Sequence, residues 1–225
     1  MADKFERFVA SYLRLNGYFT VPNFIVHAAN DPTRVLAGHV GNYTETDIIG
    51  VRMPHSREVT GNLHIANHGL LVNGANGKTD VVVVEVKSGN DNKPNRVWRG
   101  AEAKQTACYI ARFVGLHGEA EIQPVGDALA MAFRFEDEWC RFRYIVFADE
   151  PNAHYQQKGV SYITFEQAIA FIVQVRGQCW IDSNIGVASS HHQWDDLLVD
   201  IFAVANKIQE SETERIQEIK LMLVT

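Results

Sequence analysis

Residues 80–87 read Asp-Val-Val-Val-Val-Glu-Val-Lys, and the four consecutive valines constrain the fold more than any other segment. β-Branched side chains favour extended backbone, and an unbroken apolar run leaves no polar face for water. Such a segment is a strand buried on both sides, the centre of a sheet covered by helices. The chain has material for that cover: 225 residues, 46% of them hydrophobic, which excludes a mainly disordered state.

Helix and strand patterns flank the run. Phe5, Phe8, Val9, Tyr12 and Leu13 share a helical stripe within 3–16, Asp3 and Glu6 have capping-box spacing, and Gly17 stands at the C-terminal cap. A strand is predicted over 18–27, interrupted by Pro22, then a loop over 28–45 and a strand over 46–53 ended by Pro54. Residues 54–79, rich in Gly, Asn and His, read as an inserted excursion with a hairpin around 62–72. A polar loop (88–95) precedes a long helix (96–116). Strands over 129–135 and 139–148 flank the acidic turn 136–138, giving a hairpin. Thr164 and Gln167 cap a helix over 165–175, and 191–224 is helical and acidic. This order predicts a single α/β domain over 1–225 with a mixed sheet, its core at 3–148 and a helical extension at 164–225.

Several chemistries find no support. Cys108, Cys140 and Cys179 are scattered and lack a CxxC pair, so neither a zinc cluster nor a disulfide framework is indicated, and a reducing cytoplasm is expected. No apolar run reaches membrane-spanning length and the first residues are charged, so a soluble protein without a membrane partner is expected. No P-loop, GxGxxG or GxSxG pattern occurs, which argues against a nucleotide cofactor or a serine elbow. His64 and His68 have helical ligand spacing but lie in turn-like sequence, and adjacent His191 and His192 point apart in any regular element.

The end of the valine strand is different. Glu85 and Lys87 lie two apart and share the face of Val81 and Val83, at the C-terminal end where sheet sites open. An acid and an amine on so apolar a strand must pair, work, or mark its emergence into water. Asp47 opens another apolar strand, Ile48-Ile49-Gly50-Val51; if the strands are neighbours, Asp47 meets Glu85 and two carboxylates can hold Mg²⁺. Asp80 is a rival first carboxylate, but strand parity turns it away from Glu85.

Asp47 followed by Glu85-x-Lys87 resembles the PD-(D/E)XK, or restriction-endonuclease-like, nuclease superfamily, and the element order over 3–148 matches its αβββαβ core. The resemblance implies metal binding by Asp47 and Glu85, with Lys87 positioning water or stabilising the transition state. Gln105 and Tyr109, four apart on the long helix, resemble the Q-x-x-x-Y motif of recombination exonuclease nuclease domains, whose residues line the site and contact DNA. Glu6 resembles the extra helical carboxylate of some members, or it is only the capping-box acid. Thr46 replaces the motif's proline, and the 38-residue spacing from Asp47 to Glu85 requires 54–79 to be an insertion.

Charge agrees in its distribution, not its total. The net charge is −6, yet residues 87–112 hold six basic and two acidic side chains, +4, leaving −10 elsewhere. Lys93, Arg96, Arg99, Lys104 and Arg112 are therefore the expected phosphate contacts, while Trp98 either stacks on a base or packs in the core. The function expected is a Mg²⁺-dependent nuclease, with Mn²⁺ as a substitute, hydrolysing phosphodiester bonds in DNA by a metal-activated water. The alternative is a non-catalytic DNA-binding or assembly module of the same fold. A homodimer is left open, as is the choice between end and internal cleavage.

Overall fold

The computed structural model describes residues 3–27, 43–60, 63–75, 77–89, 91–177 and 195–225. Helix α1 (Lys4–Leu15) begins on a reciprocal capping box between Asp3 and Glu6 and ends before Gly17, whose φ of 84° suits a residue without a Cβ. Strand β1 (Tyr18–His27) runs through Pro22 because it is the edge of the sheet, where a missing N–H breaks no ladder. Strand β2 (Tyr43–Arg52) starts three residues earlier than its apolar run suggests.

The inserted excursion is real but differently built. The hairpin is β3 (Glu58–Thr60) with β4 (Leu63–Ile65), and Gly69–Val72 is a short helix, α2. The valine strand is β5 (Thr79–Lys87), with residues 80–85 buried. The predicted long helix is two, α3 (Arg96–Arg99) and α4 (Ala103–Val114), because Gly100 adopts extended backbone between them.

A second correction concerns 129–135, expected as a strand. Residues Glu119–Ala132 form helix α5, and only Arg134–Glu136 is strand, β6. Ile122, Val125 and Leu129 bury at helical spacing, and the Ala-rich last turn favours helix. Helices α4 and α5 approach closely at Gly126, where a Cβ would fall 2.2 Å from Cys108 Sγ. The acidic hairpin turn is present and leads into β7 (Cys140–Ala148). Helix α6 (Ala153–Gln157) and strand β8 (Ser161–Thr164) had no clear sequence signal. Helix α7 (Phe165–Phe171) starts on the expected Thr164–Gln167 box and continues as a π-helical segment, Ile172–Gly177. The acidic tail is α8 (Asp196–Ala205) and α9 (Glu212–Val224); of the loop expected over 28–45, residues 43–45 belong to β2, and residues 28–42, Cys179, His191 and His192 lie outside the described residues.

The result is an α/β protein with a mixed six-stranded sheet between helical layers. The path runs β1-β2-β5-β7, with β6 and β8 sharing the far side of β7; β5–β7 and β7–β8 are parallel and the rest antiparallel. Val82 and Val84 pack with Phe8, Tyr12, Ile201 and Phe202 on the α1 side. Val81 and Val83 pack with Trp98, Ile110, Val125 and Tyr144 on the α4 side. At about 1.5–3 kcal/mol per buried valine, the run is a major apolar contribution to the core. No helix among the described residues is long and apolar enough to cross a membrane.

Asp80 is placed as its parity requires, on the α1 face. It accepts hydrogen bonds from Arg141 Nε at 2.8 Å, Arg143 Nη2 at 2.6 Å and the Tyr18 hydroxyl. Both arginines also donate to the Leu71 carbonyl, and Arg141 to that of Asn73, which clasps the α2 segment to the sheet. Burial opposes the Asp80 charge, yet the two guanidiniums outweigh it and hold the carboxyl below its ordinary range.

Candidate functional site

Strands β2 and β5 pair antiparallel with Ile48 opposite Val84, so one further step sets Asp47 opposite Glu85. Opposed residues point to the same face with Cβ atoms about 4.5–5.5 Å apart. The two carboxylates thus share one face at the C-terminal end of the valine strand, close enough for the Glu85 charge to act on Asp47. Asp47 Oδ2 accepts the backbone N–H of Val86 at 2.6 Å, which orients the carboxylate across the strand gap.

Glu85 is 3% exposed and is held from two sides. Lys87 Nζ lies 2.7 Å from Oε1, and the hydroxyl of Tyr144, fully buried on β7, donates to Oε2. Lys87 also donates to Asn95 Oδ1 at 2.8 Å, while the Asn95 backbone N–H reaches the Tyr144 oxygen. Glu85, Lys87, Asn95 and Tyr144 close a ring of polar contacts. Burial, followed by the charge of Glu85, pushes the Tyr144 hydroxyl well above its ordinary range, so it stays a protonated donor.

Asp47 is under the opposite pressure. Burial pushes its carboxyl up to about 7; the Val86 N–H opposes this, while the charges of Glu85 and Glu6 add to it. Lys87 offsets only part of that negative charge. Two hard carboxylates that share one ammonium between them, with Asp47 half-buried at the strand end, suit a divalent cation. Glu6 faces the group from α1, but its carboxylate is engaged in the capping box with Asp3, and the ligand atoms of Glu6, Asp47 and Glu85 do not all come within 4.8 Å of one another.

The helix residues are arranged differently from expectation. Gln105 is exposed, because α4 buries Ala103, Thr106, Ala107, Ile110 and Ala111 and turns residue 105 outward. It lines an open groove of about 300 Å³ with Lys104, Cys108, Arg112 and Gln123. Tyr109 is half-buried against Phe24 of β1, ring centroids 6.1 Å apart. Trp98 is buried against Tyr144 at 4.7 Å, a core position that leaves no face for a base.

The basic residues divide into two groups. Lys104 pairs with Asp127 at 2.6 Å and Arg112 with Glu119 of α5, so neither offers the free charge anticipated. Lys93, Arg96 and Arg99 are exposed and have no ion pair among the described residues. His64 is exposed, while His68 contacts the Tyr12 hydroxyl and stacks on Phe171 at 4.8 Å, a packing role. Tyr144 and Asn95 were not anticipated. A tyrosine in the apolar segment 140–148 was the available signal for the first; Asn95 in a polar loop carried none. Compared with protein-family models, curated proteins and solved structures, the chain matches none.

Proposed function

We propose that the chain is a divalent-metal-dependent nuclease acting on DNA, of the PD-(D/E)XK type its motif resembles. The observation that carries this reading is Asp47, one step beyond the Ile48–Val84 pair, facing Glu85 at the C-terminal end of the valine-rich central strand, with Lys87 two residues further on. Asp47 and Glu85 are the residues to hold Mg²⁺ or Mn²⁺. Bound there, the ion supplies a coordinated water of lowered pKa and offsets negative charge on a phosphodiester.

The chain's own groups do the rest. Lys87, fixed by Glu85 and Asn95, keeps an ammonium at the strand end where a scissile phosphate approaches. Tyr144 pins Glu85 so that the carboxylate is orientated before substrate arrives. Lys93, Arg96 and Arg99 follow the strand directly and suit sequence-independent contact with a phosphate backbone.

The test is cleavage of linear, circular and branched DNA with Mg²⁺ or Mn²⁺ by wild type, Lys87→Ala and Asp47→Ala. Metal-dependent cleavage lost in both variants supports the proposal. Equal activity in all three removes it. Salt-sensitive DNA binding without turnover, indifferent to Mg²⁺ and to Lys87→Ala, identifies a binding module instead.

A further inference from the structure

We infer that His117, Asp137 and Cys140 form a second metal site, selective for a thiophilic transition-metal ion such as Zn²⁺. Among the described residues they are the one group of three His, Cys, Asp or Glu side chains whose ligand atoms all lie within 4.8 Å. His117 belongs to the α4–α5 connection, Asp137 to the β6–β7 turn, and Cys140 opens β7. His117 Nε2 is 2.7 Å from Asp137 Oδ2 and 3.7 Å from Cys140 Sγ.

Those separations are near what an ion requires. A tetrahedral Zn²⁺ at about 2.0–2.3 Å from each ligand spaces them by roughly 3.3–3.7 Å. The His–Cys distance already fits, and the His–Asp contact must open by only about 0.6 Å. The ligands are also held in place. The His117 ring packs against Phe135 and Phe142, and Asp137 Oδ1 accepts the N–H groups of Trp139 and Cys140, both at 2.8 Å, leaving Oδ2 to the site. His117 Nδ1 is buried and has no hydrogen-bond partner among the described residues, so the ring's polar contacts with them run through Nε2.

A nucleophilic cysteine triad is a different arrangement. There the acid and the thiol use opposite ring nitrogens, whereas Asp137 and Cys140 both meet Nε2. Burial and the charge of Asp137 push the Cys140 thiol up to about 12, which disfavours a free thiolate. A metal reverses that preference: the Sγ–metal bond forms, the thiol proton passes to solvent, and no electron moves. Imidazole, thiolate and one carboxylate oxygen suit Zn²⁺ rather than Mg²⁺, with the fourth position left to water beside the part-exposed Asp137.

The site is remote from Asp47 and Glu85. Cys140 pairs with Thr79 at the start of β5 and Val146 pairs with Glu85, a separation of about 20 Å along the sheet. A bound ion there fastens the α4–α5 connection to the β6–β7 turn.

Metal-free full-length protein titrated with Co²⁺ tests this directly. One equivalent should give near-ultraviolet thiolate-to-cobalt charge-transfer absorption, abolished by one equivalent of Zn²⁺. Cys140→Ser should lose that absorption, and Cys140→Ser and His117→Gln should each weaken Zn²⁺ binding by about tenfold or more. Asp47→Ala should retain the absorption in full, which separates this site from the nuclease reading. If Cys140→Ser does not fold by circular dichroism, Asp137→Asn, which keeps the thiol and the Oδ1 acceptor, should weaken Zn²⁺ binding about tenfold. No charge-transfer absorption in wild type, an undiminished band in Cys140→Ser, or unchanged Zn²⁺ affinity in Asp137→Asn overturns the inference.

Discussion

The Asp47 carboxylate accepts the backbone N–H of Val86 at 2.6 Å, immediately beside Glu85 on the neighbouring strand. This contact orients one acid against another across β2 and β5, and the repulsion between them is eased because Asp47 takes up a proton more readily than an ordinary carboxylate. Burial and the Glu85 charge together push Asp47 up to about 7. The fold therefore carries electrostatic strain at the site that a cation would relieve.

Asp47→Asn should abolish metal-dependent cleavage and stabilise the metal-free protein. In the unfolded chain this carboxyl titrates at its ordinary 3.8, in the fold near 7. Between those values the native state binds more protons, so stability is lost as pH rises from about 4 to 7. One pKa unit is worth about 1.4 kcal/mol, and screening by water at the strand end reduces the total to about 2 kcal/mol. Urea unfolding at pH 8 should show that gain in Asp47→Asn, and at pH 4 the difference should vanish. Equal stabilities at pH 8 would show that Asp47 bears no such strain.

Tyr144→Phe should separate positioning from chemistry. The hydroxyl donates to Glu85 from the core side and accepts the Asn95 backbone N–H. Its loss leaves Glu85 with Lys87 alone, a change expected to cost about 1.5–3 kcal/mol for a hydrogen bond to a charged group. Cleavage should need about tenfold more Mg²⁺, with turnover at saturating metal nearly restored. Lys87→Ala should instead lower turnover about 100-fold or more at every Mg²⁺ concentration. Identical Mg²⁺ titration curves for the two variants would remove the distinction.

These contrasts follow how the sequence could be read. Four valines identify a central strand because β-branched side chains favour extended backbone and both faces are apolar, and two-residue parity then places Asp80 and Glu85 on opposite faces. The same parity brings Asp47 to the face of Glu85 when β2 and β5 are neighbours. Gln105 was not: the register of α4 depends on the break at Gly100, and a continuous helix from 96 misassigns its buried side. Helix α5 is hidden because its apolar last turn merges with the short strand that follows, so that 129–135 reads as one extended run, and because Gly126, which permits close packing on Cys108, carries no helical signal of its own. The His117–Asp137–Cys140 group joins residues up to 23 apart, and no spacing motif encodes that meeting.

Asp80→Asn should unfold the protein more readily without altering the chemistry of the site. Asp80 is fully buried, and replacing it leaves Arg141 and Arg143 without their counter-charge, a loss expected to cost about 3–5 kcal/mol. Because its folded pKa is depressed, its contribution is present above the ordinary 3.8 and fades as pH falls through the folded value. Wild type should therefore lose stability in acid below about pH 4 more steeply than Asp80→Asn does. Differential scanning calorimetry between pH 2 and 7 measures both slopes, and parallel slopes would contradict the ion-pair account.

The basic face makes the last separable prediction. Arg96 and Arg99 are exposed beside the strand end, while Lys104 and Arg112 are paired with Asp127 and Glu119. A phosphate contact from a free guanidinium releases counterions at once, but a paired one must first give up its carboxylate. Removing Arg96 and Arg99 together by alanine substitution should weaken DNA binding uniformly across sequences and reduce the slope of log affinity against log salt by about 2. The Lys104→Ala/Arg112→Ala double variant should change that slope by much less, although it removes the same formal charge. Fluorescence anisotropy with a labelled duplex across a salt series distinguishes them. Equal losses in the two double variants would mean that net charge alone, rather than unpaired charge at the strand end, holds the DNA.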